Sequence, residues 1–408
     1  MGNNEKKLRA CMFGQKRFGR EGGVEVVVEE LSTRMVKLGH QVTCYNRGGH
    51  HVSGKEFDGA KLHEYEGVKL KTVPTINRKG LAAVSSSFFA ALASAFGRYD
   101  VVHIHAEGPA AMCWIPKLFG KRVVVTIHGL DHRRSAKWNK FARKYIMLGE
   151  KNAVRYADEI IVLSRGVQQY FSDTYGRKTV YIPNGVNRPE ILPAKLIKEK
   201  YGLEKDSYIL FLGRLVPEKG IQYLIQAFKQ IDTDKKLVIA GGSSDSDEFM
   251  QEITKLAADD HRILFTGFVQ GQMLAELYSN AYIYCLPSDL EGMPLSLLEA
   301  MSYGNCCLTS DIAECAEVVE DKAVLFEKGN IAALQRILEE LCQHPEMVKQ
   351  YKKEAADFIC NKYNWDTVVQ QTLDIYRGEK VDEGTIRSDR QPAHDRLHRD
   401  YDDALAGK

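Results

Sequence analysis

The sequence predicts an α/β protein made of two doubly wound, mostly parallel-sheet domains facing a central cleft. Three observations lead there. Short β-branched apolar runs of strand length alternate with longer amphipathic stretches from Leu8 to about Cys360. The alternation lapses across a polar, proline-bearing segment at 187–207, then restarts with a strand-length apolar run at Tyr208. Runs that are apolar almost throughout suit strands buried on both faces, and strands separated by helices imply right-handed parallel crossovers.

Taken in order, the first half offers strands at Leu8–Phe13, Gln41–Tyr45, Val68–Val73, Val101–His105, Val123–Ile127, Ile160–Leu163 and Val180–Ile182. Helical stretches fall between most of them, at Val24–Leu38, Leu81–Phe96, Lys137–Tyr156 and Gly166–Ser172. The second half gives strands at Tyr208–Leu212, Leu237–Ala240, Ile263–Thr266, Tyr282–Leu286, Cys306–Thr309 and Val324–Phe326. Its helices are predicted at Gly220–Gln230, Asp247–Ala258, Gln272–Ser279 and Leu295–Tyr303, followed by Ile331–Leu341, Glu346–Cys360 and Trp365–Tyr376. Beyond Gly378 the chain is charged and lacks apolar periodicity, the composition of a disordered tail.

Composition sets the outer bounds. The 408 residues exceed one comfortable core and suit two domains. Lysine and arginine total 56 against 54 acids, a net charge of +2, so bulk charge gives no sign of a nucleic-acid partner. Nine scattered cysteines form no metal-ligand pair and read as reduced core thiols of a cytoplasmic protein. No stretch approaches the roughly 18–20 apolar residues of a membrane span, and Met1 to Lys7 is too polar for a secretory signal.

In open parallel sheets ligands bind beyond the carboxyl ends of the strands, so the loops that follow strands carry the argument. The first, Gly14 to Gly23, places Gly22 and Gly23 at a helix start, where backbone N–H groups favour an anion; its spacing is not the dinucleotide fingerprint, and a tight turn is the plain alternative. The second, Gly213-Arg214-Leu215 through Lys219-Gly220, would set two cations beside a helix N-terminus. Arginine grips a phosphate bidentately and lysine acts as a point charge. The third, Leu286 to Met301, holds Glu291 in a loop, Pro294 at a helix start and Glu299 one turn inside. Amides of Met293, Leu295 and Ser296 would crowd that N-terminus and suit a pyrophosphate, while a carboxylate nearby suits ribose hydroxyls.

These motifs together resemble the retaining GT-B enzymes of glycosyltransferase family 4, from the Gly22-Gly23 loop to the late helices near Trp365. The most specific elements are the E-x7-E pattern of Glu291 and Glu299 and the GRL-x-x-x-KG run of Arg214 to Gly220. The resemblance implies two Rossmann-like domains and a nucleotide diphosphate sugar as donor. It implies that Arg214 and Lys219 hold the donor pyrophosphate and stabilise the leaving diphosphate, that Glu299 binds the ribose, and that Glu291 bonds the transferred sugar. The Glu291-Gly292-Met293 loop and the Leu295 and Ser296 amides would help with the phosphates, Gly22 and Gly23 would close over the donor, and the Phe268-Val269 backbone would pass along the nucleobase. His128, at the end of the Val123–Ile127 strand, would stand near the transferred sugar and acceptor; a core histidine bonded to backbone is the competing reading. Of His103 and His105, which alternate on their strand, one reads as structural and neither is assigned a role.

The same resemblance assigns 1–186 to an acceptor-side domain, 187–207 to a linker and 208–360 to the donor domain. Residues 361–378 become a late helix packing back on the first domain, and 379–408 a tail. No metal or other cofactor is expected, because two cations already face the diphosphate. The Asp245-Ser246-Asp247 run reads as helix capping and His50-His51 is too isolated for a metal site. The acceptor is expected to be a glycan or a lipid-linked one, as in bacterial cell-surface polysaccharide assembly. The stretch 132–155 carries eight basic residues against a single acid, Glu150, and either rests on an anionic membrane or packs as an ordinary amphipathic helix. Two rival functions stand beside transfer: a non-catalytic nucleotide-sugar-binding subunit, and a sugar-nucleotide epimerase of the same fold.

Overall fold

The computed structural model describes residues 6–19, 22–50, 62–78, 80–133, 140–242 and 247–381. Eight strands lie in its first half: β1 (Arg9–Phe13), β2 (Gln41–Arg47), β3 (Glu64–Tyr65), β4 (Val68–Val73), β5 (Val101–His105), β6 (Arg122–Ile127), β7 (Glu159–Val162) and β8 (Val180–Tyr181). They form one sheet in the order β3-β4-β2-β1-β5-β6-β7-β8, parallel except for the antiparallel edge strand β3. Six more follow: β9 (Tyr208–Leu212), β10 (Lys236–Ala240), β11 (Ile263–Gly267), β12 (Ile283–Leu286), β13 (Cys306–Ser310) and β14 (Val324–Phe326). Their sheet is parallel throughout, in the order β11-β10-β9-β12-β13-β14. Two doubly wound α/β layers of Rossmann-like form result.

Both sheets reverse their winding at one place, between β1 and β5 in the first and between β9 and β12 in the second. At such a switch point the two following loops turn to opposite faces and leave a crevice at the strand ends. The loops read as functional from sequence follow β1, β9 and β12, so the topology gathers them at the two crevices.

The central strands β1, β5 and β6 of the first sheet are buried on both faces. Cys11, Phe13, Val102, Ile104, Val123 and Val125 enter one apolar layer, while Ala10, Met12, Val101 and Val124 enter the other. This is period-two alternation with apolar residues at both phases. The second layer is completed from far along the chain: Trp365, Val368, Val369 and Leu373, on the helix Trp365–Arg377, pack with Val28, Leu31 and Met35 of the helix Gly23–Lys37. The chain therefore passes twice between the sheets. Its two passages are joined, for Val186 N donates to Tyr363 O at 2.8 Å and Val186 bridges Asn364. Gly185 is needed there, since a Cβ would lie 2.5 Å from the Trp365 ring.

The elements that periodicity missed are short. They are β3, the helices Glu107–Ala110, Trp114–Leu118 and Ala313–Val319, and the helix Leu196–Tyr201 inside the segment read as a linker. Pro109 and Pro116 interrupt the first two, and none spans enough turns to display an amphipathic stripe. The cysteines are all free, eight of them buried and Cys342 half-buried. Among the described residues no helix is long and apolar enough to cross a membrane. The tail beyond 381, Asp245, Ser246, His51, Arg134, Lys137 and Trp138 lie outside the described residues.

Candidate active site

The crevice of the second sheet is built by two loops held backbone to backbone. After β9 the chain makes a single 3-10 turn, Pro217–Lys219, and reaches Gly220 at φ +67 before the helix Ile221–Phe228. A Cβ on Gly220 would lie 1.9 Å from the carbonyl oxygen of Pro287, so the loop after β12 rests directly on it. Asp289 N donates to Glu218 O at 2.9 Å, and Tyr223 Oη donates to Asp289 Oδ2 at 3.0 Å. These contacts bring Lys219 Nζ to 2.6 Å from Glu291 Oε1, an oxygen that also accepts from Ser288 Oγ at 2.6 Å. The pair is well screened from water, with 13% of the lysine side chain and 6% of the glutamate exposed. Charge-assisted hydrogen bonds are strong under such conditions and costly to half-remove.

Beyond Pro294 the helix Leu295–Ser302 begins without a side-chain cap. Its first amides, those of Leu295 and Ser296, precede any intrahelical partner and concentrate the positive end of the helix dipole. Glu299 follows one turn in, where Tyr278 Oη lies within hydrogen-bond reach of both Glu299 Oε2 (3.2 Å) and Ser296 O (3.3 Å). Glu299, Tyr278 and Leu295 line one wall of a cavity of about 180 Å³, and Val26 and Glu30 of the first domain line another. Gly23, at the start of the helix that bears them, faces Leu295 closely: its Cβ would lie 3.4 Å from Leu295 Cδ1. Arg214 is half-buried in the loop after β9, and its guanidinium makes no ion pair with the described residues.

From the other side comes the loop after β6. Its backbone meets the β12 loop with no side chain between them, for a Cβ on Gly292 would sit 1.8 Å from the carbonyl oxygen of His128. Gly129 adopts φ +147 against the same residue. The His128 ring is held by a second histidine, His105, whose Nδ1 is 3.1 Å from His128 Nε2. His103, the next inward-facing residue of β5, lies with its ring centroid 4.1 Å from that of His105 and bonds both Thr126 Oγ1 and Tyr376 Oη at 2.7 Å. Burial disfavours the imidazolium in all three. It lowers His128 to about 4 and His103 to about 3, the latter with a smaller contribution from His128, and it takes His105 well below the ordinary histidine range. Neutral rings therefore form this row. His105 Nε2 has no partner among the described residues. A lone pair left unbonded costs less than an unbonded N–H, which assigns the His105 proton to Nδ1 as donor to His128.

The family follows from comparison with known proteins. Residues 21–188 match the sequence model described as Glycosyltransferase Family 4, and residues 194–358 match Glycosyl transferases group 1. An uncharacterized glycosyltransferase of Methanocaldococcus jannaschii is 26% identical over 306 residues, 69% of this chain and 75% of that one. The chain belongs to the family 4 glycosyltransferases. The O-antigen chain mannosyltransferase B of Escherichia coli is 26% identical over 202 residues, covering 48% of this transferase and 51% of that protein. Among solved structures, Anabaena HepE in complex with UDP-glucose superposes with a TM-score of 0.74 over 91% of this transferase and 100% of that chain, at 16% identity. Likeness at that identity shows the shared GT-B fold.

Most of the residues singled out in the sequence of the transferase converge on the cleft: Lys219, Glu291, Gly292, Leu295, Ser296, Glu299, Gly23 and His128, with Gly22 as the extended residue that starts the first helix. Met293, expected to contribute its backbone amide, has a buried side chain whose Sδ accepts from Asn184 N at 3.0 Å at the passage between the sheets. Phe268 and Val269 follow β11, the outermost strand, and are half-buried. Sequence reasoning missed Tyr278 and Ser288 and gave His105 no role. The first two carry no signal in isolation. His105 had one, the His-Ile-His alternation of β5, which puts two imidazoles on one face of a central strand.

Proposed function

We propose that this transferase moves a hexose-type sugar from a nucleotide diphosphate sugar to a glycan or lipid-linked acceptor, with retention at the anomeric carbon and without a metal at the diphosphate. The single observation that carries this reading is the Lys219–Glu291 pair at 2.6 Å, set between the uncapped helix at Leu295 and the carbonyl of His128. Such a site presents cations and backbone amides to a departing diphosphate and a carboxylate to sugar hydroxyls.

In transfer, the bond from the anomeric carbon to the phosphate oxygen breaks and its electron pair leaves with the diphosphate. Positive charge builds on the sugar ring while negative charge builds on the phosphate. Arg214, Lys219 and the Leu295 and Ser296 amides stabilise that phosphate, and preorganised donors of this kind supply much of a rate enhancement. The acceptor oxygen bonds to the anomeric carbon, and its proton passes to the leaving phosphate on the same face. Glu291, already fixed by Lys219 and Ser288, bonds the sugar. Glu299, fixed by Tyr278, receives the ribose. Neutral His128 offers the acceptor side a hydrogen-bond donor rather than a charge.

A cytoplasmic setting in cell-surface polysaccharide synthesis is supported by the mannosyltransferase relative and by the outer face of the helix Lys140–Tyr156. There Phe141 and Leu148 are exposed beside Arg143, Lys144, Lys151 and Arg155. Ile146, Gly149, Glu150 and Ala153 of the same helix are buried, so it packs on the domain while its basic face stays outward. We read that face as the contact with an anionic membrane. Sedimentation with liposomes tests it: binding indifferent to anionic lipid, or to Lys140→Gln with Lys144→Gln, rejects it.

The donor reading is tested by calorimetric titration of UDP, GDP, ADP and dTDP into wild type and Arg214→Ala, with chelator present. Tight binding of one nucleotide, lost in the variant, supports the metal-free diphosphate site. Absence of binding by all four removes it.

A further inference from the structure

Behind the loop that carries His128, three side chains meet in the interior of the first domain. Glu107 opens the short helix after β5, His132 lies in the turn Asp131–Arg133 and Glu150 sits within the helix Lys140–Tyr156. That helix approaches Glu107 as closely as backbone allows, since a Cβ on Gly149 would lie 1.9 Å from the Glu107 carbonyl oxygen. Both carboxylates are fully buried, and 10% of the His132 side chain is exposed.

Each carboxylate has one oxygen engaged and one left over. Glu107 Oε2 accepts from Asp131 N at 2.8 Å. Glu150 Oε1 accepts from Tyr170 Oη at 2.9 Å and also from Tyr175 Oη. The remaining atoms, Glu107 Oε1, Glu150 Oε2 and His132 Nδ1, have no hydrogen-bond partner among the described residues. Yet they point at one another: Nδ1 is 3.2 Å from Glu150 Oε2 and 3.7 Å from Glu107 Oε1, and all three lie within 4.8 Å.

We propose that Glu107, His132 and Glu150 form a divalent-cation site, matched best to zinc, that braces the loop carrying His128. Ligands about 2.0–2.2 Å from a tetrahedral zinc stand about 3.3–3.6 Å apart, which is the spacing of these atoms around His132. One imidazole and two carboxylates are a zinc ligand set with a fourth position left for water. The engaged oxygens are held by an amide and two phenols, the outer hydrogen bonds that orient metal-ligating carboxylates. With both carboxyls ionised and the imidazole neutral the three would carry −2, which one divalent cation cancels as it displaces the ligand proton. Without an ion, burial and the neighbouring Glu150 carboxylate keep the Glu107 carboxyl protonated, and that proton with the imidazole's would join the three as a hydrogen-bonded cluster, the arrangement that metal analysis separates from an ion site. The exposed edge of His132 gives the ion a way in.

The cation here is structural. It ties the turn four residues beyond His128 to the helices on either side, fixing the loop whose backbone rests on Gly292. It is separate from the donor diphosphate, where protein cations act.

The test uses the full chain purified without a histidine tag or metal resin. Elemental analysis should find a single zinc per chain. Dialysis against pyridine-2,6-dicarboxylate should lower Tm by about 5 °C, and zinc chloride alone should restore it. Cobalt loaded in place of zinc should give the visible absorption of a four- or five-coordinate N/O site. Glu150→Gln should lose both the metal and the response. Substoichiometric metal, with a wild-type Tm that neither chelator nor added zinc moves, overturns the proposal and leaves a proton-sharing cluster. Because that reading comes from the wild-type protein, it stands even where the variant folds poorly.

Discussion

The carbonyl of His128 and the α-carbon of Gly292 touch across the cleft, with 1.8 Å left for any β-carbon that Gly292 might have borne. The strand ends of the two sheets are thus in register at one backbone contact, between the loop that carries the histidine and the loop that carries Glu291. Gly292→Ala must part these loops by an ångström or more. We expect transfer to fall about a hundredfold, since misplacement on that scale costs as much in positioned reactions. Nucleotide binding, which we propose rests on Arg214, Lys219 and Glu299, should change much less. Steady-state rates beside calorimetry of the same variant check this, and an unchanged rate contradicts it.

Lys219 and Glu291 should behave as a coupled pair. Removing either leaves the other charged and screened from water, at a cost of about 3–5 kcal/mol. Lys219→Met and Glu291→Gln together should cost less than the sum of the single changes. Urea unfolding of the four proteins gives the coupling energy, and strict additivity would show that the 2.6 Å contact contributes nothing.

Tyr278→Phe removes the hydroxyl that positions Glu299 and leaves the ring stacked on Tyr303 at 5.2 Å. A hydrogen bond to a charged group contributes about 1.5–3 kcal/mol. Nucleotide affinity should drop roughly tenfold while Tm moves little. Equal losses of affinity and stability would mean that the tyrosine serves the core instead.

Acid should destabilise the first domain through its histidine row. His103 and His128 are depressed in the folded state to about 3 and about 4, from an unfolded value near 6.5. Above pH 6.5 both states are neutral there and nothing is gained or lost. Below it the unfolded chain binds protons that the native rows refuse, so stability falls as pH drops from 6.5 toward 4. Each such histidine contributes about 1.4 kcal/mol per pH unit. Tm measured at pH 7.5, 6.0 and 5.0 should decline, and His103→Gln should make the decline shallower. Identical slopes in both proteins would refute the assignment.

The sequence by itself determined the two α/β halves and the loops that matter. Strand and helix periods are local properties, legible in a window of ten or fifteen residues. Arg214, Lys219, Glu291 and Glu299 were legible for a related reason: each sits a fixed few residues from a strand end or helix start, and chemistry at those positions depends on short spacing. Even the lone acid of the basic stretch, Glu150, was visible as an exception before its partners were known.

Only the tertiary structure decided which groups meet. Lys219 and Glu291 are 72 residues apart, His105 and His128 are 23, and His103 and Tyr376 are 273. Those pairings follow from strand order, from the helix Trp365–Arg377 returning to the first sheet, and from glycines whose missing β-carbons let backbones touch. Strand order is set by how whole apolar faces cover one another, a sum over distant residues that no local pattern contains. The row of neutral histidines and the Glu107–His132–Glu150 cluster exist at that level, because burial alone removes the water that would otherwise charge the one and fill the other.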